Sequence, residues 1–217
     1  MVPARRRAPA PEGRPQRTRI LVAGDEHLIR DAIAGLLDLE EDFEVAAQAA
    51  SGEEALAMAL KLHPDVALLD LQPPGPDGIE TARRLAAELP ACRCVIVTSH
   101  GRPGYLKSAL AAGVSGFLPK TVSSRTFAEV VRRVAAGGRY VDPELAAEAI
   151  SAGDSPFSPR EADVLAPARD GAPVEEIARR VSLSRGTVRN HLAAAVAKLD
   201  AANRHEAARV AAEHGRI

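Results

Sequence analysis

The sequence predicts an α/β fold, a doubly wound five-stranded parallel sheet, followed by a small all-α domain. Three observations carry this reading. From Arg19 to Ala136, short apolar runs alternate with segments whose apolar residues recur at helical spacing. The run Val66-Ala-Leu-Leu-Asp70 is apolar until it ends on a carboxylate, as a strand covered by helices on both faces does. Beyond Ser158 the strand pattern stops and helical patterns alone continue.

Taken in order, the first strand is Arg19–Ala23, and the helix after it, His27–Leu39, carries Leu28, Ala32, Leu36 and Leu39 at helical spacing. Phe43–Ala49 is a second strand. Ser51 can cap the helix Gly52–Leu62, since its hydroxyl satisfies a free backbone N–H, and Pro64 stops that helix. Val66–Asp70 is the third strand, and Gly78–Glu88 is a helix ended by Pro90. Cys94–Thr98, helix Tyr105–Ala112, strand Gly116–Leu118 and helix Ser124–Ala136 complete the alternation, which implies βαβ crossovers. At about 120 residues this half supports its own core. Gly137-Gly138 ends it, Asp142-Pro143 starts a short helix reaching Ile150, and the small polar stretch Ser151-Ala-Gly-Asp-Ser-Pro156 marks a boundary.

In the second half, Ser158-Pro-Arg-Glu161 is a capping box with Pro at the first helical position. Gly171 closes that helix, Val174–Val181 follows, and the short turn Ser182-Leu-Ser184 leads to a helix from Arg185 to Leu199. Asn203 caps a last helix ending near His214. The tight turn before Arg185 predicts a helix-turn-helix. The division is therefore 1–17, a disordered basic tail; 18–138, the α/β domain; 139–156, a linker with a short helix; and 157–217, the all-α domain.

Bulk properties narrow the function. A net charge of −1 names no partner, so local charge decides. Aromatics make up 3% and Trp is absent, which argues against a single-strand nucleic-acid binder that stacks bases. Cys92 and Cys94 alternate along a strand and read as reduced thiols of a cytoplasmic protein. No apolar run approaches the roughly 18 residues that span a membrane. The N-terminal residues are rich in Pro, Ala and Arg without an apolar segment, so they are no secretory signal; Arg5, Arg6 and Arg7 offer at most weak nucleic-acid contact.

Two places carry chemistry. Functional groups in open α/β sheets sit at the carboxyl ends of strands, which singles out Asp70, although Asp is also common at the start of a turn. In the helix from Arg185, Val188, Leu192, Val196 and Leu199 share one face, and Arg185, Arg189, Asn190 and Ala193 share another. Arg189 can donate twice to a guanine edge and Asn190 can pair with adenine. Ser184 and Thr187 stand at the helix start, where hydroxyls and free N–H groups favour a phosphate. The bland alternative is a solvated basic face.

Phe157-Ser-Pro-Arg-Glu161, Val164-Leu165, Gly171, Glu176-Ile177-Ala178, Leu183-Ser184, Gly186-Thr-Val-Arg-Asn-His191 and Lys198-Leu199 resemble the LuxR-type helix-turn-helix over nearly the whole second domain. The resemblance implies binding of double-stranded promoter DNA as a homodimer, with Ser184, Arg185, Thr187, Arg189, Asn190 and Lys198 at the DNA. Ala193 falls where relatives often carry another Lys or Arg. Pro167 lies inside the first helix of this domain, where an internal Pro costs about 3 kcal/mol or kinks the helix; a kinked but present helix is expected.

The first domain resembles the receiver of two-component response regulators. The two halves together are similar to the NarL/FixJ family, and Arg102-Pro-Gly-Tyr-Leu106 with Arg139-Tyr-Val-Asp-Pro-Glu-Leu145 resemble a DesR-like subgroup. This resemblance implies a regulator and no enzyme, with a sensor histidine kinase upstream. Asp70 would be the phospho-acceptor, and Thr98, Phe117 and Lys120 the switch residues. Asp25, Asp70 and the backbone carbonyl of Gln72 would hold magnesium. The chain departs from the family where relatives place two adjacent acids, because Val22-Ala-Gly-Asp-Glu26 has Gly24 at the first position. Asp25 is expected to remain a ligand and Glu26 to point elsewhere, so magnesium would bind weakly. Pro73 and Pro119 also replace apolar residues, and Pro119 removes a backbone N–H beside Lys120. An alternative follows from Gly24: an atypical regulator whose receiver works without phosphorylation. An Asp-nucleophile phosphatase fits less well, because Gln72 stands where a second acid would act.

Overall fold

The structure, a computed structural model, describes residues 17–73, 76–99, 103–151, 155–213 and 216–217. The N-terminal tail expected to be disordered lies outside the described residues apart from Arg17, and so does most of the boundary stretch after Ser151. The described residues group into two compact units, one within 1–100 and 109–142 and the other within 101–108 and 143–217.

In the first unit, β1 (Thr18–Ala23), β2 (Phe43–Ala49), β3 (Val66–Asp70), β4 (Arg93–Thr98) and β5 (Gly116–Pro119) alternate with α1 (His27–Asp38), α2 (Gly52–Leu62), α3 (Gly78–Glu88), α4 (Pro103–Ala111) and α5 (Ser124–Ala135). A sixth strand, β6 (Tyr140–Val141), was not expected from the sequence. The parallel order is β2-β1-β3-β4-β5-β6. Tyr140 pairs with Gly116 and Val141 with Phe117, so part of the expected linker closes the sheet edge. Two residues are too short for periodicity to register; their pairing comes from the neighbouring strand.

Alternation along the strands places Ile20, Val22, Val66, Leu68, Val95, Val97 and Leu118 on one face, packed with Phe127, Val130, Val131 and Val134 of α5 and Leu37 of α1. Helix α1 turns out differently from its pattern. Leu37 and Ala34 are buried, but Leu28 is 83% and Leu39 79% exposed, and Ala32 and Leu36 are exposed with them. Two apolar stripes run along this helix, and the sheet takes the one holding Leu37.

The expected caps form: Ser51 accepts from the Glu54 N–H, Ser158 and Glu161 complete the capping box, and the Asn203 side chain accepts from the N–H groups of His205 and Glu206. In the second unit, α6 (Pro143–Ser151) precedes α7 (Pro159–Arg169), α8 (Val174–Arg180), α9 (Arg185–Lys198) and α10 (Arg204–Glu213). Helix α7 continues through Pro167, whose carbonyl accepts from the N–H groups of Asp170 and Ala172 and so helps close the helix end. Val164, Leu165, Ile177, Val188 and Leu192 form the core with Ala168, Ala195, Ala207, Ala208 and Ala211, small side chains that let the helices approach closely. The turn between α8 and α9 reverses at Ser182, whose φ of 52° lies in the left-handed region. Most of α4, through Ser108, groups with this unit, where the Tyr105 hydroxyl donates to Asp163 and both side chains are buried.

Candidate functional site

Strand β1 lies between β2 and β3, so the chain's connections leave β1 and β3 to opposite sides of the sheet. The crevice at the carboxyl ends of such a strand pair is where doubly wound folds bind ligands. Here those ends are Gly24 and Asp70. The pocket is lined by Gly24, Glu26, Arg30, Asp70 and Lys120 above an apolar floor that includes Val22, Leu68 and Val97.

Backbone geometry explains its shape. A Cβ on Gly78 would fall 2.1 Å from the Asp70 carbonyl oxygen, so the loop after β3 closes this tightly only with glycine there. A Cβ on Gly24 would lie 3.4 Å from Asp70 Cβ and 3.6 Å from Asp70 Oδ2. Position 24 therefore faces Asp70, where a Cβ would sit at ordinary contact distance, and the missing acid is absent from the pocket itself. The Gly24 carbonyl accepts a hydrogen bond from Arg30, 2.5 Å away.

Lys120 follows β5. Its N–H donates to the Thr98 carbonyl at 2.7 Å, which ties the ends of β4 and β5 together. Its ammonium lies 2.7 Å from Asp70 Oδ2 and 2.5 Å from Glu26 Oε2. Burial works to lower the Lys120 pKa, but the two carboxylates outweigh it and hold the group above its ordinary value. Thr98, at the end of β4, and Phe117, within β5, are buried. Phe117 lies beside β6, whose Val141 pairs with it.

Of the expected site residues, the structure brings Asp70 and Lys120 into contact. Asp25 is exposed and does not line the pocket. Glu26, expected to point elsewhere, turns inward and takes Lys120. Sequence order missed this because α1 begins at His27 and aims the Glu26 side chain back across the strand ends. Arg30 was missed too; its place one helical turn inside α1 was the available signal. A magnesium ion needs several oxygen ligands. Among the described residues no three His, Cys, Asp or Glu side chains form a group that could hold a metal, and the carboxylates at Asp70 and Glu26 are both on an ammonium. An ion binding at Asp70 would have to take that carboxylate from Lys120.

In the second unit, the Ser184 side chain caps α9 by accepting from the Thr187 N–H. Val188 and Leu192 are buried, and Ser184, Arg185, Arg189, Asn190 and Ala193 lie toward solvent. Arg185 lies 3.5 Å from Glu175 of α8. Lys198 is 2.5 Å from Glu161, so it would reach a phosphate only by leaving that carboxylate. Burial pushes the Glu161 pKa up, but Lys198 and the Ser158 N–H overcome this and leave it below the usual carboxylate value.

Residues 20–132 match the response regulator receiver domain family, and residues 155–211 match the luxR family of bacterial regulatory proteins. The chain is a NarL/FixJ-family response regulator. This response regulator is 38% identical over 199 residues to the uncharacterized transcriptional regulatory protein YvfU of Bacillus subtilis, covering 92% of this chain and 99% of the relative. It is 37% identical over 196 residues to the transcriptional regulatory protein DesR of the same organism, covering 90% and 97%. Among solved structures it resembles the response regulator ChrA of a heme-sensing two-component system, at a TM-score of 0.56 and 27% identity, over 93% of this chain and 99% of that one. The response regulator is thus a transcriptional regulator of a two-component system, with a receiver and a LuxR-type DNA-binding domain. Among its described residues no helix is long and apolar enough to cross a membrane.

Proposed function

We propose that phosphorylation of Asp70 switches this response regulator and that it binds double-stranded promoter DNA as a homodimer in the cytoplasm. The observation that carries the reading is the Asp70–Lys120 pair at the β1/β3 switch point, in a chain whose second unit holds a capped α9 with an outward-facing polar side. An Asp70 carboxylate oxygen attacks phosphorus, the leaving group departs with its bonding pair, and Lys120 and the Thr98 hydroxyl stabilise charge on the phosphoryl oxygens. The donor is a sensor histidine kinase, and the role is regulatory, without substrate turnover. Magnesium, bound weakly through Asp25, Asp70 and the Gln72 carbonyl, belongs to this proposal, and its assembly requires Asp25 to join Asp70. The output is α9: Ser184, Arg185 and Thr187 at phosphates, Arg189 and Asn190 at base edges, and Lys198 at a phosphate after leaving Glu161.

Incubation with acetyl phosphate and magnesium, followed by intact mass and size-exclusion chromatography, tests the switch. An added phosphoryl mass and a shift toward dimer, both absent in Asp70→Asn, are expected. In a promoter mobility-shift assay, Arg189→Ala and Asn190→Ala should each cost about 1–3 kcal/mol of binding; undiminished binding by the double variant would rule out α9 as the reader. The second reading, a receiver that works without phosphorylation, is favoured by Gly24 and by the two carboxylates already paired with Lys120. It predicts no Asp70-dependent adduct and DNA binding indifferent to acetyl phosphate.

A further inference from the structure

Glu26 stands at the N-cap position of α1, where a short side chain usually accepts a backbone N–H of the first helical turn. Its side chain makes no such bond. The carboxylate crosses the pocket to the Lys120 ammonium instead, at 2.5 Å and 94 residues away in sequence. The start of α1 is left without its side-chain cap, and the pocket gains a carboxylate. That carboxylate is the one position 24 fails to provide: Gly24 faces Asp70 at contact distance with nothing to offer.

We propose that Glu26 is the positioning residue of the switch lysine, supplying the second carboxylate that Gly24 lacks and holding Lys120 beside Asp70. The Lys120 ammonium, with the Arg30 guanidinium that also lines the pocket, offsets the two carboxylates. Both acids that line the pocket are then committed to Lys120. The hold is also releasable. Asp70 and Lys120 side chains are each 13% exposed, but Glu26 is 52% exposed, so water screens its pair with Lys120 more than the Asp70 pair. Where Asp70 accepts a phosphoryl group, a consequence that rests on the function proposed above, the phosphoryl oxygens displace Glu26 from Lys120. Glu26 thereby competes with phosphorylation.

The test uses the full chain without metal or phosphate. Lys61, Lys107, Lys120 and Lys198 are its four lysines, so acylation of each amine can be followed by peptide mass spectrometry. Glu26→Gln, and Glu26→Ala beside it, should speed labelling of Lys120 by about two- to fivefold, the change that loss of a partly exposed ion pair gives. Lys61 and Lys198 should label as in the wild type, and thermal unfolding should confirm that both variants are folded. An unchanged Lys120 rate in both variants overturns the proposal. A second measurement follows phosphoryl uptake from acetyl phosphate and magnesium by intact mass. Faster uptake in Glu26→Gln supports the competition; slower uptake overturns it and makes Glu26 a metal ligand. Absence of an Asp70-dependent adduct in every variant would overturn the phosphorylation reading, while the labelling rates still decide the role of Glu26.

Discussion

Gly24 shows how one side chain sets the electrostatics of a site. It sits at the end of β1, facing Asp70 where a Cβ would make ordinary contact. Gly24→Asp would set a second carboxylate against Asp70, a repulsion of up to about 4 kcal/mol for like charges about 4 Å apart near a protein surface. Thermal unfolding should show a lower midpoint for the variant without divalent ions and a larger gain on adding magnesium than the wild type shows. Equal magnesium responses would count against Gly24 as the missing ligand position. Glu161 makes a prediction of the other sign. Its folded pKa is depressed, so it is charged in both states and contributes fully above about pH 5. As pH falls, the unfolded chain takes up its proton first, and the contribution is lost as pH approaches the lower, folded value. Acid unfolding of Glu161→Gln, or of Lys198→Met, should therefore depend less steeply on pH below the glutamate range than that of the wild type.

Among the elements, α1 separates pattern from packing. Its apolar residues at Leu28, Ala32, Leu36 and Leu39 satisfy helical periodicity but face solvent, and Leu37 and Ala34 meet the sheet. Periodicity identifies a helix; which stripe is buried depends on how the helix is rotated against the strands. Leu37→Ala should cost about 2–5 kcal/mol in denaturant unfolding, whereas Leu28→Gln and Leu39→Gln should stay within about 0.5 kcal/mol. The opposite ranking would contradict this rotation. Helix α7 was expected to be kinked at Pro167. The structure keeps the helix through Arg169, and the proline carbonyl serves its last turn. A proline so close to the end disturbs little of the ladder. Strand β6 lies beyond the reach of patterns, since a two-residue strand exists only through the neighbour that pairs with it.

For the whole molecule, DNA affinity proposed through α9 has a salt signature. Removing one cation from a DNA phosphate lowers the slope of log affinity against log salt by roughly one. Arg185→Ala, at a phosphate, should flatten the slope measured by fluorescence anisotropy. Asn190→Ala, at a base edge, should leave the slope and relax sequence preference. Identical slopes for wild type and Arg185→Ala would remove Arg185 from the set of side chains at phosphates.

The two-part plan, five of the six sheet strands, the helix caps and the position of Asp70 were legible in order and spacing, because propensity, periodicity and capping are local along the chain. The pocket was legible in part. Asp70 and Lys120 could be placed at strand ends from their runs alone, and their contact follows from adjacent parallel strands β3, β4 and β5. Three features depended on distances between residues remote in sequence: Glu26 turned onto Lys120, Asp25 left outside, and β6 laid beside Phe117. Side-chain direction at a helix start and pairing at a sheet edge are settled by the surroundings, and those exist only once the chain has folded.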